Sequence, residues 1–268
     1  MYRKTIDLKE LAKDHFRGLN VEEVQRLLPE GLILLGYRGS LAHGTYTPQE
    51  DPDSIDDKDC LGVFIGSLDH YFGYKQREQR ECMIREWDAV SYEFRKYVKL
   101  LSQANPNVLS LLWLNPQHHI GITPMGQELI ANRHLFATKK IYHSFTGYAC
   151  AQLKKMTAYQ RDGYMGEKRK QLVDKFGYDC KNASHLIRLL RMGIEFLREG
   201  KLHVYREDAP QLIEIKRGRW TLEQVKEEAN MLFKRAEQAY DECKLPNQPD
   251  TERINNFVVD LLRNWFAG

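Results

Sequence analysis

Long hydrophobic runs are missing from this chain of 268 residues, and nothing in it approaches the ~18 consecutive apolar residues that a membrane span needs. The expectation is a soluble chain with no membrane partner. Cysteine is scarce and scattered: Cys60, Cys82, Cys150, Cys180 and Cys243 are odd in number and include no Cys-x-x-Cys pair. That argues against a disulfide framework and against a zinc site. The N-terminus, Met-Tyr-Arg-Lys-Thr-Ile-Asp, lacks the apolar run and small-residue cleavage site of a secretory signal, so the expected compartment is the cytoplasm. Internal repeats and low-complexity tracts are absent as well. What is present is 42% hydrophobic and 29% charged, enough to bury a core across one large or two modest domains.

The net charge of +3 hides a segregation along the chain. Residues 1–116 carry 15 basic and 18 acidic side chains, whereas residues 133–191 carry 13 basic and 4 acidic ones. An acidic first half and a basic second half suit a protein that holds metal ions with one part and polyphosphate or nucleic acid with the other. The plain alternative is a solvated basic helical face.

Hydrophobic periodicity divides the chain in the same place. Residues 20–28 have helical spacing, with Asn20 where a cap belongs and Pro29-Glu30-Gly31 as the stop. Leu32 to Tyr37 and Cys60 to Ile65 read as buried strands, residues 46–56 as a loop, and residues 82–90 as one further strand passing into a helix through Ser91 to Leu101. Asn105-Pro106 caps another helix. Beyond Pro116 strand signals fade and helical patterns follow, starting at 121–124 and then over 137–161, 180–199, 221–243 and 251–266, with a basic loop at Gly163 to Lys170. The expected architecture is α+β: residues 1–116 a mixed sheet with helices, residues 117–268 an all-helical domain.

The stretch richest in chemistry is Gly39-Ser40-Leu41-Ala42-His43-Gly44-Thr45, followed by Asp56-Asp57-Lys58-Asp59 at the mouth of the second strand. Alternate strand residues point the same way, so Asp57 and Asp59 aim two carboxylates at one place. Two hard oxygen ligands at that spacing suit Mg²⁺, or Mn²⁺, with water and substrate phosphate completing the shell. A Gly-Ser turn supplies N–H groups and a hydroxyl that cradle phosphate, and Asp88 is placed to complete the metal set from a neighbouring strand. A calcium loop is rejected, because Ile55 stands where that pattern wants Asp or Asn. A Ser-His-Asp hydrolase is rejected too, because no nucleophile elbow surrounds Ser40. His118-His119 and Cys60 read as structural.

On a helix at about 100° per residue, Lys181, His185 and Arg188 fall on one stripe, with Glu195 on the same side and Arg191 beside it. Spacing alone leaves a solvated face and a triphosphate clamp as equal readings, and the metal site upstream favours the clamp. Residues 168–170 with Lys154-Lys155 are candidates for holding an acceptor strand.

Gly39-Ser40, Gly44-Thr45 and Asp57-x-Asp59 entering an apolar strand resemble the DNA polymerase β-like nucleotidyltransferase superfamily. More narrowly, Asn105-Pro106-Asn107-Val108-Leu109, Gly177-Tyr178-Asp179-x-Lys181-Asn182-Ala183-x-His185-Leu186-Ile187-Arg188-Leu189-Leu190 and Leu245-Pro246 resemble its bacterial and phage branch associated with RNA repair. The resemblance implies a mixed sheet bearing the metal carboxylates and a helical domain closing over a nucleoside triphosphate. The stretch between Thr45 and Asp57 departs from it, being longer than the branch's short Thr-Pro-x-Ser-Asp linker.

The expected activity is transfer of a nucleoside monophosphate from an NTP to an acceptor hydroxyl, with RNA or another nucleic-acid end as acceptor and Asp57, Asp59 and Asp88 as catalytic and metal ligands. Gly39, Ser40, Lys181, His185 and Arg188 are the expected nucleotide-binding residues. The rival readings are a protein-nucleotidylating enzyme and a non-catalytic nucleotide- or RNA-binding partner or sensor.

Overall fold

The computed structural model describes residues 5–48, 50, 51, 54, 56–74, 76–157 and 167–267. Two short helices open the chain, α1 (Leu8–Asp14) and α2 (Val21–Leu27), the second closed by a capping box between Asn20 and Glu23. Then come β1 (Leu32–Tyr37), α3 (Gly39–His43), β2 (Lys58–Phe64), α4 (Leu68–Phe72), β3 (Gln79–Ile84), β4 (Trp87–Glu93), α5 (Phe94–Ser102) and α6 (Pro106–Leu109). The last strand is β5 (His119–Ile122), after which the chain is helical: α7 (Pro124–Ala131), α8 (Lys140–Thr157), α9 (Glu167–Phe176), α10 (Cys180–Glu199), α11 (Ala209–Lys216), α12 (Leu222–Glu242) and α13 (Thr251–Ala267).

The five strands form one mixed sheet in the order β3-β4-β2-β1-β5, with β2 and β4 parallel and the other pairs antiparallel. Alternation splits its side chains between two cores. Leu32, Leu35, Cys60, Trp87 and Ala89 pack with Phe16, Val24 and Leu28 from the N-terminal segment. A register shift between Leu32 and Leu34 lets Leu32 and Leu35 share that face. Ile33, Leu34, Leu61, Val63 and Val90 face the other way, into a cluster that continues through Phe94 and Tyr97 to the C-terminal helices as far as Leu261. Helix α10, the most deeply embedded, is the axis of the helical part, with Ala183, Leu186, Ile187 and Phe196 fully buried.

The α+β architecture agrees with the sequence, and four local expectations are corrected. Residues 82–90 are not one strand but a hairpin, because Arg85 takes φ +55° and reverses the chain. Ser91 to Glu93 continue β4, and the helix begins only at Phe94, capped by the Glu93 carboxylate. A fifth strand lies beyond Pro116, on the far side of the expected boundary. It is four residues long, and its hydrogen bonds to β1 rather than any β-rich run define it. Thr123 caps the helix that follows, with Pro124 at its first position. Lys168, Arg169 and Lys170 lie on α9 and not in a loop, while Gly163 to Gly166 fall outside the described residues.

Candidate active site

Strands β2 and β4 run side by side with Asp59 paired to Asp88, and alternation turns both away from Cys60 and Trp87, toward the helical side. Arg38, the residue leaving β1, spans them. Its Nη2 donates to Asp59 Oδ1 at 3.0 Å and to Asp88 Oδ2 at 3.1 Å, and its backbone N–H donates to the Asp59 carbonyl at 2.9 Å. The next residue, Gly39, has φ +59°, and a Cβ there would collide with Asp59 Oδ2. Glycine is needed both by the backbone and by the carboxylate pressed against it. Ser40 keeps a buried hydroxyl with no hydrogen-bond partner among the described residues. Such a group is costly unless something arrives to satisfy it.

Asp57 sits one residue before β2. Burial raises its pKa above the usual carboxylate range; Lys181 pulls it down, and Asp88 and Asp56 push it up. Burial raises Asp59 as well, against the pull of Arg38 and with a push from Asp88. For Arg38, burial works against the charge, yet Asp59 and Asp88 outweigh it and hold the guanidinium charged. Asp57 and Asp59 thus both feel the Asp88 charge, and for neither do the neighbouring cations, Lys181 for the first and Arg38 with Lys181 for the second, fully offset burial. Among the described residues no three His, Cys, Asp or Glu side chains stand close enough to hold a metal ion. Arg38 Nη2 engages one oxygen of Asp59 and one of Asp88. In donor type and number the acids fit a hard divalent ion.

From the helical side, α10 brings Lys181 to these acids and sets His185 and Arg188 against His43 at the end of α3. Lys181 Nζ lies 3.6 Å from Asp56 Oδ1 and acts on both Asp57 and Asp59. His185 follows one turn later, and burial, then Arg188 and Lys181, hold it well below its ordinary pKa and therefore neutral. Arg188 pairs with no carboxylate among the described residues. Its Nη1 donates to His43 Nε2 at 2.8 Å and to Met192 Sδ at 3.3 Å. Burial, reinforced by Arg206 and opposed from a distance by Asp208, lowers it to about 10.

Other expectations on α10 and α9 are redirected. Arg191 is bound by Asp208, Gln211 and Glu228, and Glu195 by Arg206, so both are structural. Arg169 is held by Asp179 at 2.8 Å and by Asn182 at 2.9 Å, which braces α9 on the cap of α10. Cys60 is fully buried, and burial pushes its thiol pKa up.

Four residues escaped the sequence reading: Arg38, His43, Asp56 and Lys216. Asp56 is 4% exposed, accepts from the Thr47 N–H at 2.9 Å, and is paired with Lys216 of α11, which also donates to the Thr45 carbonyl at 3.0 Å. The long stretch before β2 is thereby tied to the helical part. The signal was present in the run Asp56-Asp57-Lys58-Asp59: only two of three acids so spaced can share a strand face, so the odd one needs a partner elsewhere.

Comparison with known proteins adds a family. Residues 19–260 match the RNA repair pathway DNA polymerase β family. None of the curated proteins compared matches this chain. Among solved structures, a nucleotidyltransferase-like protein from Exiguobacterium sibiricum 255-15 is similar at 8% identity over 88% of this chain and 75% of that one, with a TM-score of 0.30. The Bradyrhizobium diazoefficiens CD-NTase CdnG, solved in complex with GTP, is similar at 12% identity over 89% of this chain and 95% of that one, with a TM-score of 0.20.

Proposed function

This chain belongs to the RNA repair pathway DNA polymerase β family, and on that premise we propose that it transfers a nucleoside monophosphate from an NTP to a hydroxyl at an RNA end, releasing pyrophosphate. One observation carries the reading. Asp59 and Asp88 stand in register on adjacent parallel strands, with Asp57 one residue before β2, Gly39 against Asp59 and Lys181 of α10 acting on Asp57 and Asp59.

The acceptor oxygen attacks the α-phosphorus, and the bond from that phosphorus to the oxygen bridging the β-phosphate breaks. Asp88, at 36% side-chain exposure more open than Asp59 at 22%, is the carboxylate on the acceptor side and takes the hydroxyl proton. Ser40 Oγ–H, Lys181 and Arg188 donate to the β- and γ-phosphates and stabilise the leaving pyrophosphate. His185, being neutral, serves as a hydrogen-bonding group for phosphate or sugar without adding charge. Asp57, Asp59 and Asp88 would hold Mg²⁺ or Mn²⁺, whose chemistry is to neutralise triphosphate charge and lower the pKa of the acceptor hydroxyl. Arg38 holds one oxygen of each of Asp59 and Asp88, and the other oxygen of each would be the one offered to such an ion.

The test is Mg²⁺-dependent transfer of label from each α-labelled NTP into total RNA and protein, with Asp57→Ala/Asp59→Ala as control. Nuclease-sensitive label made by the wild type alone is the expected result. Protease-sensitive label would point to a protein acceptor, and NTP binding with no transfer would point to a sensor or binding partner.

A further inference from the structure

His43, the last residue of α3, is 6% exposed and has no part in the chemistry above. Both of its ring nitrogens are engaged. Nδ1 lies 2.8 Å from the Val204 carbonyl oxygen, and Nε2 lies 2.8 Å from Arg188 Nη1. A carbonyl only accepts, so the proton is on Nδ1; a guanidinium only donates, so Nε2 presents its lone pair. The partners thus fix one neutral tautomer. The charged and titratable groups around the ring favour the same state: Arg188 and His185 on α10, and Arg206 on the segment entering α11. The backbone joins the same knot, because the Arg206 N–H donates to the His43 carbonyl at 3.2 Å.

Arg188 is in the complementary position. A half-buried guanidinium normally has a carboxylate beside it, since an uncompensated buried charge is strongly unfavourable. Here a neutral acceptor, His43, is set against it, with the Met192 sulfur as its other partner. Only Nη1 is engaged by these two, which leaves Nε and Nη2 as donors.

We propose that His43 is a positioning residue for nucleotide binding: from the last position of α3, the helix that also carries Ser40, it holds the Arg188 guanidinium by accepting a hydrogen bond, without neutralising it. A carboxylate at this position would hold the arginine equally well but cancel its charge. An apolar side chain would preserve the charge but let the group move. Neutral imidazole does the one thing both alternatives miss, and its second hydrogen bond, to Val204, sets the ring angle. This inference rests on the reading of Arg188 as a triphosphate ligand.

The pair His43→Gln and His43→Glu tests it, because the two side chains have the same shape and both place an acceptor oxygen near the Nε2 position. The probe is inorganic tripolyphosphate, measured by calorimetry in the absence of divalent metal so that catalysis does not enter. The Gln variant is expected to bind within about threefold of the wild type and the Glu variant at least roughly tenfold more weakly, in line with one charge-assisted hydrogen bond. Glu and Gln variants of equal affinity would overturn the proposal. His43→Leu, combined with Arg188→Met, gives a second measurement. If His43 acts through Arg188, the double variant binds tripolyphosphate as weakly as Arg188→Met alone, whereas additive losses would overturn it. Failure of the transferase reading looks different: the wild type would bind tripolyphosphate, with the expected Gln–Glu contrast, yet incorporate no label. A wild type that does not bind tripolyphosphate at all would end the positioning role outright.

Discussion

Helix α10 carries two sets of charges that share one element and differ in how they are paired. Toward its N-terminal half, Lys181 acts on Asp57 and Asp59, His185 and Arg188 lie against His43, and Arg188 has no salt-bridge partner among the described residues. Further along, Arg191 is held by Asp208 at 2.8 Å and by Glu228 at 2.7 Å, and Glu195 accepts from Arg206 Nη2 at 2.8 Å. The second set is saturated from within the fold and joins α10 to α11 and α12. The first is less completely paired: Lys181 lies 3.6 Å from Asp56 Oδ1, while Arg188 is met by the neutral His43 and by the Met192 sulfur. Saturated charges tie the helices together, whereas a half-buried guanidinium met only by neutral partners is held at some cost to stability.

Substitutions at the two ends should therefore separate binding and catalysis from stability. The largest effect is expected at the incomplete end. Asp59→Asn lowers nucleotide incorporation about a thousandfold or more, since several kcal/mol of transition-state stabilisation go with the metal ligand. Its unfolding midpoint in urea stays near that of the wild type. Arg188→Met raises KM for the NTP roughly 10- to 100-fold, the worth of a charge-assisted hydrogen bond, with stability unchanged or improved by removal of an uncompensated buried cation. A clear loss of stability in Arg188→Met would break the contrast. At the saturated end, Arg191→Met strands Asp208 and Glu228 and destabilises the fold by about 3 kcal/mol in a urea titration, while KM per folded molecule is retained.

The smallest effect is a pH dependence. His43 and His185 are held neutral in the fold by burial and neighbouring arginines, and His118 and His119 by burial. A histidine whose folded pKa is depressed contributes stability that is complete above its unfolded value and is lost as pH falls below it. Stability should decline as pH drops below about 6.5, and His43→Gln should flatten that decline in part. An unchanged slope would show that His43 is not among the groups being titrated.

Much of this was legible from residues alone. Strands β1 and β2, the cap at Asn20 and the full extent of α10 follow from local periodicity, which a single segment carries in itself. Gly39 and Ser40 stand out through their neighbours in sequence, and helical spacing is enough to put Lys181, His185 and Arg188 on one stripe of α10. The β3–β4 hairpin was missed because Arg85 is not a residue that announces a positive φ. β5 was missed because four residues are too few to show a period.

The sequence by itself determined which side chains were available for chemistry and which of them share a face, because strand and helix geometry fix those relations over a few residues. Only the tertiary structure decided which charges are spent and which are kept. Arg38 reaches Asp88 across 50 positions, Arg188 reaches His43 across 145, and Lys216 reaches Asp56 across 160. Pairings over such distances depend on how the sheet and the helical part pack, and no local pattern carries that information. It is this packing that leaves Ser40 and Arg188 incomplete while Asp56 and Arg191 are satisfied.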